Sequence, residues 1–448
     1  MIAPDKLLEK AREGVKLAER AGADEAEVFA DAVHALRAEL RAGDVHGTVD
    51  EEETTFGIRV FKDGSEGFAT VNDGSELEAA AVEAVTMARA TPPDPHNGLA
   101  DPQPVEPLPD GPDAAITGLD VGDLVDLAGE VLSQVRAVDE RIRIDSGSVS
   151  AETSLRAVAT STGIELVETR ARAGGSLFGM AVDGDDVGSF DHDGHVVRTL
   201  ADLRPELTAM VQRFAIKTLG ALGAGKGESF RGPVVLSPEV VRSFLLENLL
   251  GVLGARAVRT GRSPFAGRLG EAIVSESLTL TDDGRLPGAA GSSSFDREGT
   301  PRRRTPIIAA GRLKSFLSNH YEARRNGGAS TGHASGSAAM QPVIGPTNLI
   351  LESGGTPFST LCAEGHRTVL VSRFSGSCNP TTGEFSGVVK GGFLIVEGDR
   401  RPIRETMISG NLFEILRRVS GVSIETRNIG GRDRIPALRI EDVSITAG

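Results

Sequence analysis

Between Val234 and Gly267 (VVLSPEVVRSFLLENLLGVLGARAVRTGRSPFAG) the hydrophobic pattern changes from a continuous β-branched run to a helical period. Val234 to Leu236 predicts a short strand. Ser237 is placed to cap a helix, and Pro238 sits at its first turn, where a missing N–H costs nothing. From Glu239 to Leu253 a stripe forms from Val241, Phe244, Leu245, Leu249 and Val252. Leu246, Leu250 and Leu253 fill most of the remaining circumference, leaving a narrow strip of Ser243, Glu247 and Gly251 with Asn248 alongside. A helix apolar on nearly all sides is expected to be buried. Glu247 then reads as a buried carboxylate, which must be paired, protonated or functional. It is either a partnered core acid or part of a site.

The same periods divide the rest of the chain. Pro4 to Ala21 predicts an amphipathic helix with Leu7, Leu8, Ala11, Val15 and Leu17 on or near one face. Glu25 to Leu40 holds the strand candidate EVFADA, and Phe56 to Val71 predicts a hairpin turning at Asp63-Gly64. Helical spacing returns at Leu77 to Arg89, Val121 to Val138 and Leu203 to Leu222, with a meander of strands over Ile142 to Met180. Residues 92–112 (PPDPHNGLADPQPVEPLPDGP) are dense in proline and acid and predict an extended surface loop. The glycine-rich GALGAGKGESF (Gly220 to Phe230) predicts a joint, giving an N-terminal unit over 1–222 and a C-terminal unit over 230–448. The second half predicts strands at Glu271 to Leu280, Thr305 to Ala310, Arg312 to Leu317, Asn348 to Leu351, Thr368 to Phe374, Gly391 to Val396 and Ala437 to Ile445. One helix at Asn411 to Val419 and short helical pieces near His320 and Pro357 interrupt them. The fold class is α+β, with the second unit β-rich.

Composition narrows the function classes. The 448 residues include 39% hydrophobic positions, enough for a sizeable core, but only 4% aromatics. A net charge of −15 argues against a broad nucleic-acid surface. Two cysteines, Cys362 and Cys378, make no disulfide framework and suit a reducing, cytoplasmic setting. The N-terminus lacks the apolar core of a signal peptide, and no run of about 18 apolar residues predicts a membrane span.

Few side chains suggest chemistry. His192 and His195, interleaved with Asp191 and Asp193, could hold a metal or form a polar turn around Asp193-Gly194. His320 is a helix-start or site residue, and His333 lies in a glycine- and serine-rich loop of the kind that borders sites. The segment Asp296 to Arg304 (DREGTPRRR) is the most charged; Arg302, Arg303 and Arg304 could bind an anion or partner, or line a solvated turn. Cys378 reads as an inert thiol or a nucleophile. HExxH, CxxC, P-loop and GxSxG motifs are absent.

Several blocks together resemble the TldD/PmbA family: PVVLSPEVV, LPGAAGSSSFDREGTPRRRTPIIAAGRLKSFLSNHYEARRNG, STGHASG, PTNL and SGSCNPTTGEFSGVVKGGFLIVEGDRRPIRETMISGNLFEILRRV. EVFADA and GIRVFKDGSEGFATVND extend the resemblance over almost the whole length. The family implies an α+β N-terminal and a β-rich C-terminal domain, and pairing subunits of a peptide-cleaving metalloprotease. In its TldD branch a helical HExxxH and a C-terminal cysteine bind zinc. Without gaps that motif falls on Leu246 to Gly251, where Glu247 matches but Leu246 and Gly251 stand at the histidine positions. The cysteine position falls around Ile429 to Gly431, which has none. The chain therefore resembles the PmbA branch, also called TldE. The resemblance implies no cofactor in this chain and zinc in a TldD-like partner, a heterodimer or, in isolation, a homodimer, and peptide substrates. Two other readings stay open: a homodimeric binding or regulatory protein, in line with the family's older naming as a modulator of DNA gyrase, and a self-sufficient peptidase using His320, His333 and Cys378.

Overall fold

Alternating side chains build the first sheet. The computed structural model describes residues 1–448. Strands β1 (Glu25–Arg41), β2 (Asp44–Lys62), β3 (Ser65–Val71), β4 (Ile142–Thr160), β5 (Glu165–Asp183), β6 (Asp186–Val187) and β7 (Asp191–Val197) form a seven-stranded sheet in the order β3-β2-β1-β4-β5-β6, with β7 also on β5. Even positions of β1, from Ala26 to Ala32 and from Leu36 to Leu40, bury against one layer of helices. These are α1 (Pro4–Arg20), α2 (Leu77–Ala90), α3 (Val121–Val138) and α4 (Leu200–Leu219). Odd positions, including Glu27, Phe29 and Asp31, face the second half of the chain. The first twelve residues of β2 escaped sequence reasoning because DVHGTVDEEETT is polar on both faces; long pairing with β1 carries it.

Residues from Gly225 onward form a twelve-stranded sheet. Its strands include β8 (Phe230–Leu236), β9 (Arg367–Cys378), β10 (Glu384–Val396), β11 (Val419–Ile429) and β12 (Asp433–Ala447). β12 pairs antiparallel with β8 and β11 and parallel with Leu349–Leu351. Packed on this sheet is α5, which is α-helical at Pro238–Val240, π-helical over Val241–Leu246 and α-helical again at Glu247–Leu253. Its apolar residues join a core of 39 buried side chains. The fold is α+β and strand-rich.

Three expected elements are shorter than the pattern suggested. Glu271 to Leu280 is a strand only from Leu280 (Leu280–Asp283), because Ile273, Val274 and Leu278 enter the core one by one from a turning backbone. Arg312 to Leu317 pairs only at Arg312–Leu313, and the helix at Asn411 to Val419 is confined to Leu412–Ile415 before β11 begins.

The charged segment Asp296 to Arg304 is not a solvated turn; its first residues are a buried junction between the two sheets. Glu27 Oε2 accepts from Arg59 at 2.7 Å and Oε1 from Arg297 at 2.7 Å, and Glu298 accepts from Arg59 at 3.1 Å. Arg297 also lies over the Phe29 ring, 4.1 Å from its centroid. All four charged side chains are at most 5% exposed. The proline-rich stretch is likewise more than a surface loop. Gly98 to Ala100 are buried, Asp94 binds Tyr321 and Arg325, and the carbonyls of Glu106 and Pro107 accept from Arg285. It straps the first sheet to the second half. No helix is long and apolar enough to cross a membrane.

Half-buried His320 gives this junction a pH signature. It begins the helix His320–Arg325, its backbone N–H donates to Glu298 at 2.8 Å, and its Nε2 is buried without a partner. Burial pushes its pKa below the usual 6.5, with Arg324 and Arg59 acting in the same direction and Glu298 and Asp101 against it. As pH falls below about 6.5 the unfolded chain takes up a proton that the folded imidazole refuses, so stability drops. Asp296 acts with the opposite sign: burial raises its pKa to about 7, costing stability as pH rises toward that value. The difference between chains isolates the histidine. His320→Gln is expected to lose less stability than the wild type between pH 7 and pH 5, measured by urea unfolding at each pH; parallel curves would assign the imidazole no role.

Candidate functional site

The strand-to-helix stretch, the β11–β12 turn and the β7 edge of the first sheet converge on one seam. Ser237 caps α5 through Val240 N–H at 3.5 Å, and Pro238 occupies the first turn as the pattern required. The strip of Ser243, Glu247 and Gly251 then points away from the core, so all three are exposed. Glu247 is therefore not the buried acid expected from the wheel: 67% of its side chain is exposed, and its partner is Arg242 at 2.9 Å. The strip is narrow, but it is the face the core leaves open.

Arg242 is the centre of the arrangement. Its Nη1 donates to Glu247 and its Nε to Asp433, on the first residue of β12. Asp433 is 5% exposed and also accepts the Leu349 N–H at 2.7 Å. Burial disfavours the Arg242 charge, but Asp433 and Glu247 more than compensate and raise its pKa. The turn carrying Asp433 is pinned by Gly431, at φ +75°, where any added Cβ would collide with the Val196 carbonyl of β7.

A second ion cluster closes the other side. Asp193, 1% exposed in its side chain, accepts from Lys217 at 2.7 Å, Arg213 at 2.9 Å and Arg427 at 2.7 Å. Arg427 also pairs with Glu239 on α5. Burial alone would raise the Asp193 pKa, but Lys217, Arg213 and Arg427 hold it below the usual carboxylate range. The stretch around Asp193-Gly194 is mid-strand rather than a turn, and His195 faces Glu206 at 3.4 Å. Between the two clusters lies a cavity of about 340 Å³, lined by Asp191, His192, Glu239, Arg242, Arg373 and Asn428 among others. Arg373 donates to Ser189 at 2.6 Å, while its Nε is buried with no hydrogen bond.

The other sequence candidates do not gather here. Arg302 is buried and donates to the Gly332 and Ala334 carbonyls, so it cannot contact a substrate or partner from outside. His333 is 2% exposed, with Nδ1 2.9 Å from Thr331 Oγ1 and Nε2 3.7 Å from Asp282; it fastens a buried loop. Arg303 and Arg304 stay exposed, Arg303 held by the Ser330 carbonyl. Cys378 packs against the large core, and its thiol hydrogen-bonds only to the Asn379 and Gly383 carbonyls; burial followed by Glu384 raises its pKa, which disfavours a thiolate. Sequence reasoning missed Arg242, Asp433, Lys217 and Arg427. A lone arginine in an otherwise apolar helix was the available signal for the first.

A metal does not fit these residues. No three His, Cys, Asp or Glu side chains converge in the chain, and the carboxylates at the seam are occupied by guanidinium or ammonium groups. Leu246 is 3% exposed and Gly251 is exposed. In this chain the first of these positions faces the core and the second faces solvent.

Models of the PmbA/TldA metallopeptidases match nearly the whole chain: domain 1 over 26–88, the central domain over 115–222 and the C-terminal domain over 229–447. The chain belongs to the PmbA/TldA metallopeptidase family. It is similar to a metalloprotease of Methanothermobacter thermautotrophicus, 29% identical over 83% of this chain and 82% of that one. Metalloprotease PmbA of Escherichia coli O157:H7 is 27% identical over 90% and 89%. The crystal structure of TldE from Thermococcus kodakarensis superposes with a TM-score of 0.88 at 24% identity, over 98% of this chain and 100% of that one, which shows the same fold.

Proposed function

We propose that this chain is the non-zinc-binding subunit of a two-chain metallopeptidase that cleaves unfolded or small peptides. A TldD-like partner would carry the zinc, its activated water and the general base. This chain would contribute chamber wall, substrate contacts and a subunit surface. The observation that carries the reading is Arg242. Where the resemblance places the zinc helix and the C-terminal ligand segment, a guanidinium ties Glu247 on the helix to Asp433 on the turn. A fixed cation there makes the two carboxylates structural partners instead of metal ligands.

Two substitutions test the assignment. Glu247→Gln is expected to leave cleavage by the mixed complex within a few-fold and stability within about 1 kcal/mol, because an exposed pair contributes little. A loss as deep as removal of the partner's own base would contradict it. Restoring both histidines (Leu246→His with Gly251→His) is expected to leave the purified chain without stoichiometric zinc, because position 246 is buried in the core and the segment Ile429 to Gly431 offers no cysteine as a third ligand. Metal analysis after gel filtration reads the outcome, and one retained zinc per chain would show that the helix can still be a metal site.

A further inference from the structure

The face of the first sheet that looks toward the second half holds another cavity, which shares no residue with the one beside α5. It encloses about 270 Å³ between the sheet and the loops at Ala290, Ser292, Ser337 and Ala339. Its lining carries Arg156, Arg170, Arg172 and Arg198 against Asp31, Glu53 and Glu152. An excess of cations is unexpected in a chain of net charge −15.

The arginines are unequally satisfied. Arg198 places both Nη atoms on Asp110 at 2.8 Å, and Arg172 donates to Glu152 at 2.8 Å. Arg156 has only its Nε near Asp31, at 3.3 Å, and the other Asp31 oxygen accepts the Ala338 N–H. Arg170, 17% exposed, makes one hydrogen bond, Nε to Glu168 at 3.1 Å, and the second Glu168 oxygen is taken by Ser294. Burial, reinforced by the neighbouring Arg156, pushes the Arg170 pKa down to about 10. The Nη atoms of Arg156 and Arg170 make no hydrogen bond within the chain, and a guanidinium fork matches a carboxylate through two parallel bonds. The volume is just below the ~300–1,000 Å³ of pockets for drug-sized ligands, so the cavity suits the end of a peptide better than a length of one.

We propose that this cavity is a carboxylate-binding site, formed by Arg156 and Arg170 with the more exposed Arg172 at its mouth, and that it takes the C-terminal carboxylate of a short peptide. The choice of a peptide as carrier rests on the peptide-handling function above; the affinity for a carboxylate does not.

Isothermal titration of the full chain at low salt tests it with three probes: Ac-Ala-Ala-Ala-OH, its C-terminal amide, and Ac-Ala-Glu-Ala-NH2. The free acid is expected to bind about tenfold or more tightly than the amide, and Arg170→Gln and Arg172→Gln are each expected to weaken it about tenfold. Circular dichroism checks folding; should Arg170→Gln misfold, the exposed Arg172→Gln decides alone. No binding of the acid, equal binding of acid and amide, or indifference to the arginine variants overturns the site. Tighter binding of the glutamate peptide overturns the C-terminal assignment in favour of an acidic side chain. Because titration uses this chain alone, its result is independent of whether the mixed complex cleaves.

Discussion

Replacing Arg59 by alanine is expected to destabilise the protein by about 3–5 kcal/mol, the largest single-residue effect outside the hydrophobic cores. Arg59 is 5% exposed in its side chain and sits between Glu27 and Glu298, which are each 1% exposed, with Glu66 3.9 Å away. Without it, Glu298 loses its only guanidinium, and Glu27 keeps Arg297 alone. A buried carboxylate without a counter-charge must be protonated or hydrated, and either disrupts the seam between the sheets. Alanine at Arg12, whose pair with Glu165 is exposed on both sides, is the control and should cost at most about 1 kcal/mol. Urea unfolding at neutral pH reads both. Equal, small losses would mean that the junction is held by apolar contacts such as Phe29, Phe295 and Ala338 and not by its charges.

That network also shows what a sequence hides. Helices α1 to α4 and the Asp63-Gly64 hairpin were legible because their apolar positions recur at one period and turn residues bound them. The α+β class followed from the same patterns. DREGTPRRR was not legible: a charge run is normally solvated, and its burial depends on Glu27 and Arg59, more than 200 residues earlier in the chain. The same applies to the seam at α5. The wheel identified Ser243, Glu247 and Gly251 as one strip, and the structure keeps them together on an exposed face. It could not reveal that Arg242 reaches Asp433, 191 residues away, because only the β11–β12 turn brings that carboxylate back. His333 was misplaced for a related reason: STGHASG has the composition of a mobile loop, yet Asp282 and Thr331 fasten it inside.

The second large effect concerns activity. Glu247, Asp433 and Asp193 are each engaged by cations, and Cys378 sits among carbonyls with its thiol favoured over the thiolate. On the proposed reading the partner's zinc supplies the activated water, and the paired groups of this seam hold the chamber wall together. Adding a zinc-bearing TldD-like subunit is therefore expected to take peptide cleavage from background to readily measurable turnover, with neither chain sufficient alone. The seam would shape the chamber around the partner's zinc without contributing a ligand.

The decisive measurement is a cleavage assay on an unstructured peptide with three samples: this chain alone, the TldD-like subunit alone, and the two after co-purification, each with and without a chelator. Cleavage confined to the mixture and abolished by the chelator is the predicted result. Chelator-sensitive cleavage by this chain alone, with one zinc bound per chain, would contradict the account.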